Sequence, residues 1–299
     1  MTTGPLDINK PSSRYRVQHR LRVRWSEVDM QKVVFNPHYL TYFDIAAAQY
    51  WRDTALPYEE TLKFLNGDIF VKKASLEYNG SAYFDESLTI CLRCERIGNS
   101  SMLFKGSILR NSLELVAGEI VYVFADPVQR ISKPIPSELK ALITRFEAGE
   151  EITHLRIGAW SELRDDALGL RQDVFVREQG VPLDMEEDEF DSQCVHFVLF
   201  NALNLPIATA RLIEPKDTSS KGQSRVGRMA VRKDLRGSHW GKRVLAAVEE
   251  FARKRGDTTL SLHAQLQAKE FYSKQGYVPV GETFEEAGIE HIEMQKMLY

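Results

Sequence analysis

A lone carboxylate followed by a helix start is the first place where residue types and spacing indicate chemistry. Asp29 precedes Asn36 and Pro37, which suit the cap and the first position of a helix. The free amides of that helix, that of Asn36 among them, would polarise a bound carbonyl oxygen. Asp29 would then attack the carbonyl carbon or activate water. The alternative is that Asp29 caps a turn before an ordinary core helix.

A second stretch that predicts chemistry covers residues 235–241 and reads Leu-Arg-Gly-Ser-His-Trp-Gly. It follows a strand-like run and opens an amphipathic helix, so its alternative is a plain helix start. Backbone amides and the helix dipole at such a loop can hold a pyrophosphate without a charged side chain. The predicted anion site consists of Arg236, Gly237, Ser238, His239, Trp240 and Gly241.

The order Trp-Ser-Glu-Val-Asp ending at Asp29, then residues 33–40 and Tyr-Phe-Asp at 42–44, resembles the signature of hotdog-fold acyl-CoA thioesterases of the 4-hydroxybenzoyl-CoA thioesterase type. The family usually has Gly where Lys32 stands and Arg where Ala48 stands. The resemblance implies an acyl-CoA thioesterase whose oligomer forms through this domain, as a dimer or tetramer. Its candidate catalytic groups are Asp29, the backbone amide of Asn36, and Tyr39.

A series of motifs in the second half resembles the GNAT acetyltransferase superfamily, most closely its ElaA-like branch. The motifs are 171–182, 188–191 with His196, 208–211, 227–231, Ala264-Gln265 with Phe271-Tyr272, and 288–291 with Met294. The resemblance covers Leu155 to Leu298. It implies that the amides of residues 236–241 bind the coenzyme A pyrophosphate and that the strand with Met229 and Val231 pairs with the pantetheine arm. His239 stands where the family loop has Gly, and its Cβ would crowd the phosphate.

Acetyl transfer needs a base for the ammonium proton and an acid for the leaving thiolate. Tyr272 stands where the superfamily keeps its general acid. Glu178 and His291 are the candidate bases. Each has a structural alternative, because Glu178 would also fit a solvated helix face and His291 would also fit a core histidine bonded to a backbone carbonyl.

The elements that position these residues follow from hydrophobic periodicity. Residues 14–25 alternate as a strand, and the helix that opens at Asn36 carries one apolar stripe over about five turns. Strand-like runs at 69–78, 87–96, 102–110 and 113–124 are separated by turn signals, which predicts an antiparallel meander. A closing helix is expected at 134–146 and a polar linker at 147–151.

Beyond the linker the pattern changes to alternating helices and strands. Residues 161–179 and about 240–255 are predicted helices, and 195–200, 206–213 and 225–231 are predicted strands. The fold class is therefore α+β. A hotdog domain, an antiparallel sheet wrapped round a central helix, covers 1–149, and a GNAT α/β domain covers 150–299.

Composition narrows the function classes. The 299 residues include 39 basic and 42 acidic side chains, so bulk charge favours neither nucleic acid nor an anionic membrane. Residues 1–14 are polar and no run reaches the length of a membrane span, which predicts a cytoplasmic protein. The three Cys fit a reducing compartment. Cys91 and Cys94 share one strand without a nearby His, so we predict thiols and no metal site.

These observations predict a bifunctional coenzyme A enzyme. Acyl-CoA and acetyl-CoA would be its substrates, with no tightly bound cofactor, and an unknown amine would accept the acetyl group. The alternative, of a different class, is that the GNAT-like half only senses acyl-CoA.

Overall fold

The structure is a computed structural model that describes residues 11–214 and 222–299. Most of the polar segment predicted at 1–14 lies outside these ranges. Contacts divide the chain into two compact units, the first ending at Ile152 and the second beginning at Thr153. No helix within the described ranges is long and apolar enough to cross a bilayer.

The first unit is an antiparallel sheet of five strands with a long helix against one face. Its elements are β1 (Val17–Arg22), α1 (Asn36–Asp53), α2 (Tyr58–Phe64), β2 (Asp68–Tyr78), β3 (Ser87–Ile97), β4 (Ser101–Arg110), β5 (Leu113–Ala125) and α3 (Ser137–Ala148). The strand order is β1-β3-β4-β5-β2. This layout confirms the predicted hotdog fold. Strands β3, β4 and β5 form the predicted meander, but the predicted pairing of the first run with the second is wrong, because β2 pairs with β5 and β3 pairs with β1.

Two glycines let α1 approach the sheet closely. A Cβ at Gly106 of β4 would lie 2.3 Å from Cε1 of Phe43, and one at Gly118 of β5 would lie 2.6 Å from its Cε2. Phe43 is completely buried, and removing a side chain of this size from water contributes roughly 1.5–3 kcal/mol. Larger residues at these two strand positions would push α1 off the sheet.

Local boundaries differ from prediction at the ends of the helices. The cap of α1 is Phe35, so Asn36 is the first helical residue and makes no side-chain cap. The predicted Asn36 cap is therefore wrong. Helix α3 ends at Ala148, so Glu147 is helical, and its carboxylate accepts hydrogen bonds from the Tyr50 hydroxyl and the Cys94 amide, each at 2.7 Å. Part of the predicted linker therefore belongs to the core.

The second unit is a sheet of seven strands with helices on both faces. Its elements are β6 (Thr153–Gly158), α4 (Trp160–Arg171), β7 (Val195–Asn201), β8 (Pro206–Ile213), β9 (Gln223–Val231), α5 (Trp240–Arg255), β10 (Thr259–Gln265), α6 (Lys269–Ser273), β11 (Val278–Glu286) and β12 (Ile289–Met297). The strand order is β11-β12-β10-β9-β8-β7-β6, and β9 with β10 forms the parallel pair. The predicted α/β class of this half is confirmed.

The helix predicted at 161–179 is a compound element. Its α-helical part, α4, ends at Arg171, and a π-helical segment, Gln172–Glu178, continues it. Apolar periodicity does not distinguish these two windings over so few residues. The candidate base Glu178 is the last residue of the π-helical segment.

Candidate functional sites

Asp29 lies in a tight turn before α1. Its Oδ1 accepts a hydrogen bond from the Gln31 amide at 2.8 Å, and its backbone amide donates to the Val33 carbonyl oxygen at 2.9 Å. Lys32, within the turn, has a φ of +64°. That conformation favours glycine, which explains why thioesterases of this type usually have Gly at this position. The turn-capping role is thus present, and it leaves Oδ2 of Asp29 available for chemistry.

The start of α1 is held by buried polar groups. The Tyr39 hydroxyl oxygen accepts a hydrogen bond from the Ala82 amide at 2.9 Å, and burial raises the Tyr39 pKa. Tyr39 therefore fixes a neighbouring segment against the helix start, and its catalytic role stays a prediction. The Phe35 amide donates to the Glu27 carbonyl oxygen at 2.9 Å and joins the helix cap to the segment before Asp29.

Glu27 is a functional candidate that the sequence analysis missed. It is 5% exposed, and Oε2 accepts hydrogen bonds from the Tyr42 hydroxyl at 2.8 Å and the Arg24 amide at 2.7 Å. A buried carboxylate of this kind pins the strand end to α1 and so positions Asp29 two residues later. The available signal was a second acidic residue inside the Trp-Ser-Glu-Val-Asp motif.

In the second unit, the pairing between β9 and β10 ends about halfway along the two strands. Their register pairs run from Gln223 with Thr259 to Val226 with Leu262 and stop there. On its other side β9 stays paired with β8 as far as Val231, with a bulge between Gly227 and Ala230. The half of β9 that carries Met229 and Val231 therefore faces a gap between the strands, where an extended ligand can pair with the strand edge.

Four of the predicted residues meet on the α5 side of this gap. A Cβ at Gly241 would lie 3.2 Å from Cγ2 of Val231 and 3.4 Å from Cε of Met229. The Tyr272 hydroxyl contacts Sδ of Met229 at 3.5 Å. Burial raises the Tyr272 pKa to about 12, so this hydroxyl keeps its proton at neutral pH.

The predicted anion loop ends in a left-handed cap. His239 is the cap of α5, has a φ of +68° and makes no side-chain cap, and Gly237 has a φ of +90°. The His239 side chain is exposed while Ser238 and Trp240 are buried. A residue with positive φ explains the family's preference for Gly here. The cost of His239 is therefore backbone strain as well as the bulk expected from its Cβ.

The two candidate bases have firm structural partners. Glu178 pairs with Arg236 through two hydrogen bonds of 2.7 Å, and this contact lowers the Glu178 pKa, which makes it a weaker proton acceptor. His291 is 9% exposed, and its Nδ1 lies 2.7 Å from the Ile289 carbonyl oxygen. This is the structural alternative considered for His291. The catalytic roles of both residues stay predictions.

Comparisons with known proteins agree with these folds. A model of the acetyltransferase (GNAT) domain matches residues 171–298, and a model of the thioesterase superfamily matches residues 31–117. YjcF of Bacillus subtilis, an uncharacterized N-acetyltransferase, is 36% identical over 132 residues, covering 44% of this chain and 90% of YjcF. The protein ElaA of Escherichia coli is 32% identical over 131 residues, covering 43% of this chain and 84% of ElaA.

The chain belongs to the GNAT acetyltransferase family. Its GNAT domain follows a hotdog domain of the thioesterase superfamily. The crystal structure of a 1,4-dihydroxy-2-naphthoyl-CoA thioesterase from Synechocystis is similar to the hotdog domain, at 15% identity and a TM-score of 0.40, over 43% of this chain and 95% of that structure.

A network of ion pairs, most of them buried, connects segments of the GNAT domain on the α4 side of the gap. Arg171 bonds to Glu186 and Asp191, and Arg211 bonds to Asp188 and Asp191. Arg228, in the β9 bulge with a φ of +47°, donates to Asp188 at 3.0 Å. Three guanidinium groups thus offset three carboxylates, which is the condition for keeping charges buried.

This network should make the GNAT domain sensitive to acid. Burial would raise the Asp191 pKa, but Arg171 and Arg211 outweigh it and hold that pKa at about 2. A depressed pKa stabilises the fold above the unfolded value of 3.8, and this contribution of about 2 kcal/mol is lost as pH falls from about 4 to about 2. Thermal unfolding of the GNAT domain between pH 7 and pH 2 should show the loss.

The matched test of the acid effect is Asp191→Asn against Asp165→Asn. Asp165 is 97% exposed, so its change should leave the melting curve at every pH unaltered. Asp191→Asn removes the charge that the buried guanidinium groups of Arg171 and Arg211 face, and should lower the free energy of unfolding by about 3–5 kcal/mol at neutral pH. It should also weaken the decline of stability at acid pH. Equal acid limbs in wild type and Asp191→Asn would contradict this assignment.

Proposed function

We propose that the chain is a bifunctional coenzyme A enzyme. Its hotdog domain hydrolyses an acyl-CoA thioester, and its GNAT domain transfers an acetyl or acyl group from acyl-CoA to an amine. The observation that carries the proposal is that each domain sets an open helix start, at Asn36 in α1 and at Trp240 in α5, beside groups suited to thioester chemistry. We further propose a cytoplasmic location.

In the hotdog domain, the Asn36 amide and the dipole of α1 would polarise the thioester carbonyl. The Asp29 carboxylate would attack the carbonyl carbon or deprotonate a water that does so. The hydrogen bond from the Gln31 amide supports this role, because it fixes one carboxylate oxygen and leaves the other to act.

In the GNAT domain, the amides of residues 236–241 would hold the pyrophosphate, and the free edge of β9 at Met229 and Val231 would pair with the pantetheine arm. Tyr272 would protonate the departing thiolate. Its raised pKa keeps the hydroxyl protonated at neutral pH, so that a proton is present when the thiolate forms. Arg236 is bound to Glu178, so this part of the site depends on backbone amides.

We propose that the hotdog domain mediates a homo-oligomer, a dimer or a tetramer. Strand β2 lies at the edge of its sheet and is exposed along most of its length, with Phe70, Val71 and Tyr78 at 39%, 56% and 48%. An exposed edge strand of this length offers a row of unpaired backbone groups to a partner strand. A second copy would complete the pocket beside Asp29.

The competing function is that the GNAT domain binds acyl-CoA without catalysis. His239 is the specific observation that favours it, because its strained backbone departs from the usual phosphate loop. Free thiol release from a panel of acyl-CoAs, measured with and without amines, separates the two. Amine-dependent release supports the transferase, and amine-independent release alone supports a thioesterase with a sensing domain.

Replacement of Asp29 by Asn should abolish thioester hydrolysis. The Asn side-chain oxygen can still accept the Gln31 amide, so the turn and the fold should persist. The expected loss is ~10²–10⁴-fold or more, since the acting carboxylate is gone. Asp85→Asn is the matched control, because Asp85 belongs to an exposed pair with Arg22. Wild-type hydrolysis by Asp29→Asn would eliminate this mechanism.

Light scattering should find the chain as an oligomer at assay concentration. A charge placed on the β2 edge, Val71→Glu, should shift it toward monomers and lower hydrolysis in parallel, because an isolated edge would leave the pocket incomplete. Leu113→Glu, at a hairpin position with 59% exposure, is the control for an added surface charge. A fully active wild-type monomer would count against the proposed assembly.

Replacement of His239 by Gly should tighten acetyl-CoA binding by on the order of 1 kcal/mol, because it opens the approach to the loop amides. Calorimetry in the Asp29→Asn background at two pH values provides the measurement without turnover in the hotdog domain. If the change weakens binding instead, and more so at low pH, the imidazolium contacts phosphate. No detectable binding by either protein would mean a GNAT fold without its cofactor.

A further inference from the structure

His263 is the first residue of β10 beyond its pairing with β9. The last register pair joins Leu262 to Val226, so the backbone at His263 lies where the gap opens. The predicted cofactor residues Met229 and Val231 lie further along the same gap, on β9. A side chain at this point of β10 is therefore placed to meet a molecule that enters the gap.

The side chain of His263 points away from α5. Lys296 on β12 bonds to Glu249 of α5 at 2.7 Å, and Lys296 is the register partner of Leu260. Register partners share a face, so Leu260, and with it Leu262, faces α5, while His263 faces the opposite side by alternation. The sheet thus separates a cofactor face, with Tyr272, from an opposite face with His263.

His263 forms a hydrogen-bonded pair with a carboxylate. Its Nδ1 lies 3.0 Å from Oε2 of Glu286, and the edge of its ring packs on Phe284 with centroids 4.8 Å apart. The two side chains are 31% and 50% exposed, so the pair is open to a ligand. Among the described residues no hydrogen bond occupies Nε2. A carboxylate on one ring nitrogen leaves the other as the proton acceptor.

The charges around His263 come from each neighbouring strand. Glu286 lies on β11, and Glu293 on β12 is the register partner of His263. Arg228 and His291 lie near Glu286. Burial acts to raise the Glu286 pKa, but the hydrogen bond to His263 outweighs it and the pKa lies below its usual range. Glu286 therefore stays ionised at neutral pH and acts as the hydrogen-bond partner of His263.

We propose that His263, oriented by Glu286, is the general base for the amine acceptor. This inference rests on the proposed transferase function. Nε2 takes a proton from the acceptor ammonium, and the freed amine nitrogen forms a bond to the thioester carbonyl carbon. The carbon–sulfur bond then breaks, the thiolate takes its proton from Tyr272, and the nitrogen gives its second proton to the Tyr272 oxygen, which leaves a neutral amide and a free thiol. The acceptor is a primary amine that arrives on the face opposite α5.

This assignment differs from the two bases suggested by the sequence. Arg236 occupies both oxygens of Glu178. The Nδ1 of His291 contacts a backbone carbonyl, and its side chain is almost buried. His263 is the histidine of this face that combines a carboxylate partner with solvent access.

The test compares acceptors that differ in their need for a base. Benzylamine is largely an ammonium ion at neutral pH, whereas hydroxylamine is largely unprotonated. With acetyl-CoA as donor, His263→Gln should slow acetylation of benzylamine by ~10²–10⁴-fold and leave that of hydroxylamine at the wild-type rate. Glu286→Gln should slow benzylamine acetylation less than His263→Gln does and leave hydroxylamine acetylation at the wild-type rate, because the imidazole ring loses the partner that orients it.

Two controls separate chemistry from folding. Glu285→Gln, on the neighbouring position of β11, should match wild type with both acceptors, and calorimetry should show unchanged acetyl-CoA binding in His263→Gln. Equal rates in wild type and His263→Gln, or an equal loss with benzylamine and hydroxylamine, would overturn the role of His263. A wild-type protein that binds acetyl-CoA but transfers nothing to either amine would remove the transferase proposal itself, and this inference with it.

Discussion

The end of hydrogen bonding between β9 and β10 is the constraint on which the GNAT domain depends. Beyond Val226 and Leu262 the strands diverge, and the free edge of β9 becomes available to an extended ligand. One face of the opening is formed by Gly241 and Tyr272, and the other is braced by the buried pair of Arg171 and Asp191. Because buried ion pairs of this kind destabilise a fold when either partner is removed, the network should contribute to the stability of this side of the domain.

In the hotdog domain, side-chain packing positions the start of helix α1. Phe43 lies against glycines of β4 and β5, which sets the depth of α1 and so the position of its first amides. Both domains then carry an L-residue where their families use Gly, Lys32 at a φ of +64° and His239 at +68°. Each costs roughly 1 kcal/mol of backbone strain, a sum that the surrounding cores must offset.

Periodicity predicted strands β2 to β5 and helix α5 because their signals are local: alternation, turn residues and an apolar stripe. It did not predict that β2 pairs with β5, because strand pairing across a sheet is not a local signal. The same reasoning missed α2, whose seven residues are too few for a clear stripe, and the π-helical segment after Arg171. The gap could not be predicted from the sequence, since it depends on where β9 and β10, whose paired residues are separated in sequence by a helix, stop pairing. Nor could the contact of His263 with Glu286, which spans three strands and exists only once the sheet is assembled.

The central claim is that one chain carries two separate coenzyme A sites. The direct measurement is the stoichiometry of coenzyme A binding to the intact protein by equilibrium dialysis, in wild type and in Gly241→Val, whose side chain would fill the space beside Val231. We expect two molecules of coenzyme A bound per chain in wild type and one in the variant. A single site in wild type, or a stoichiometry that Gly241→Val leaves unchanged, would contradict this claim.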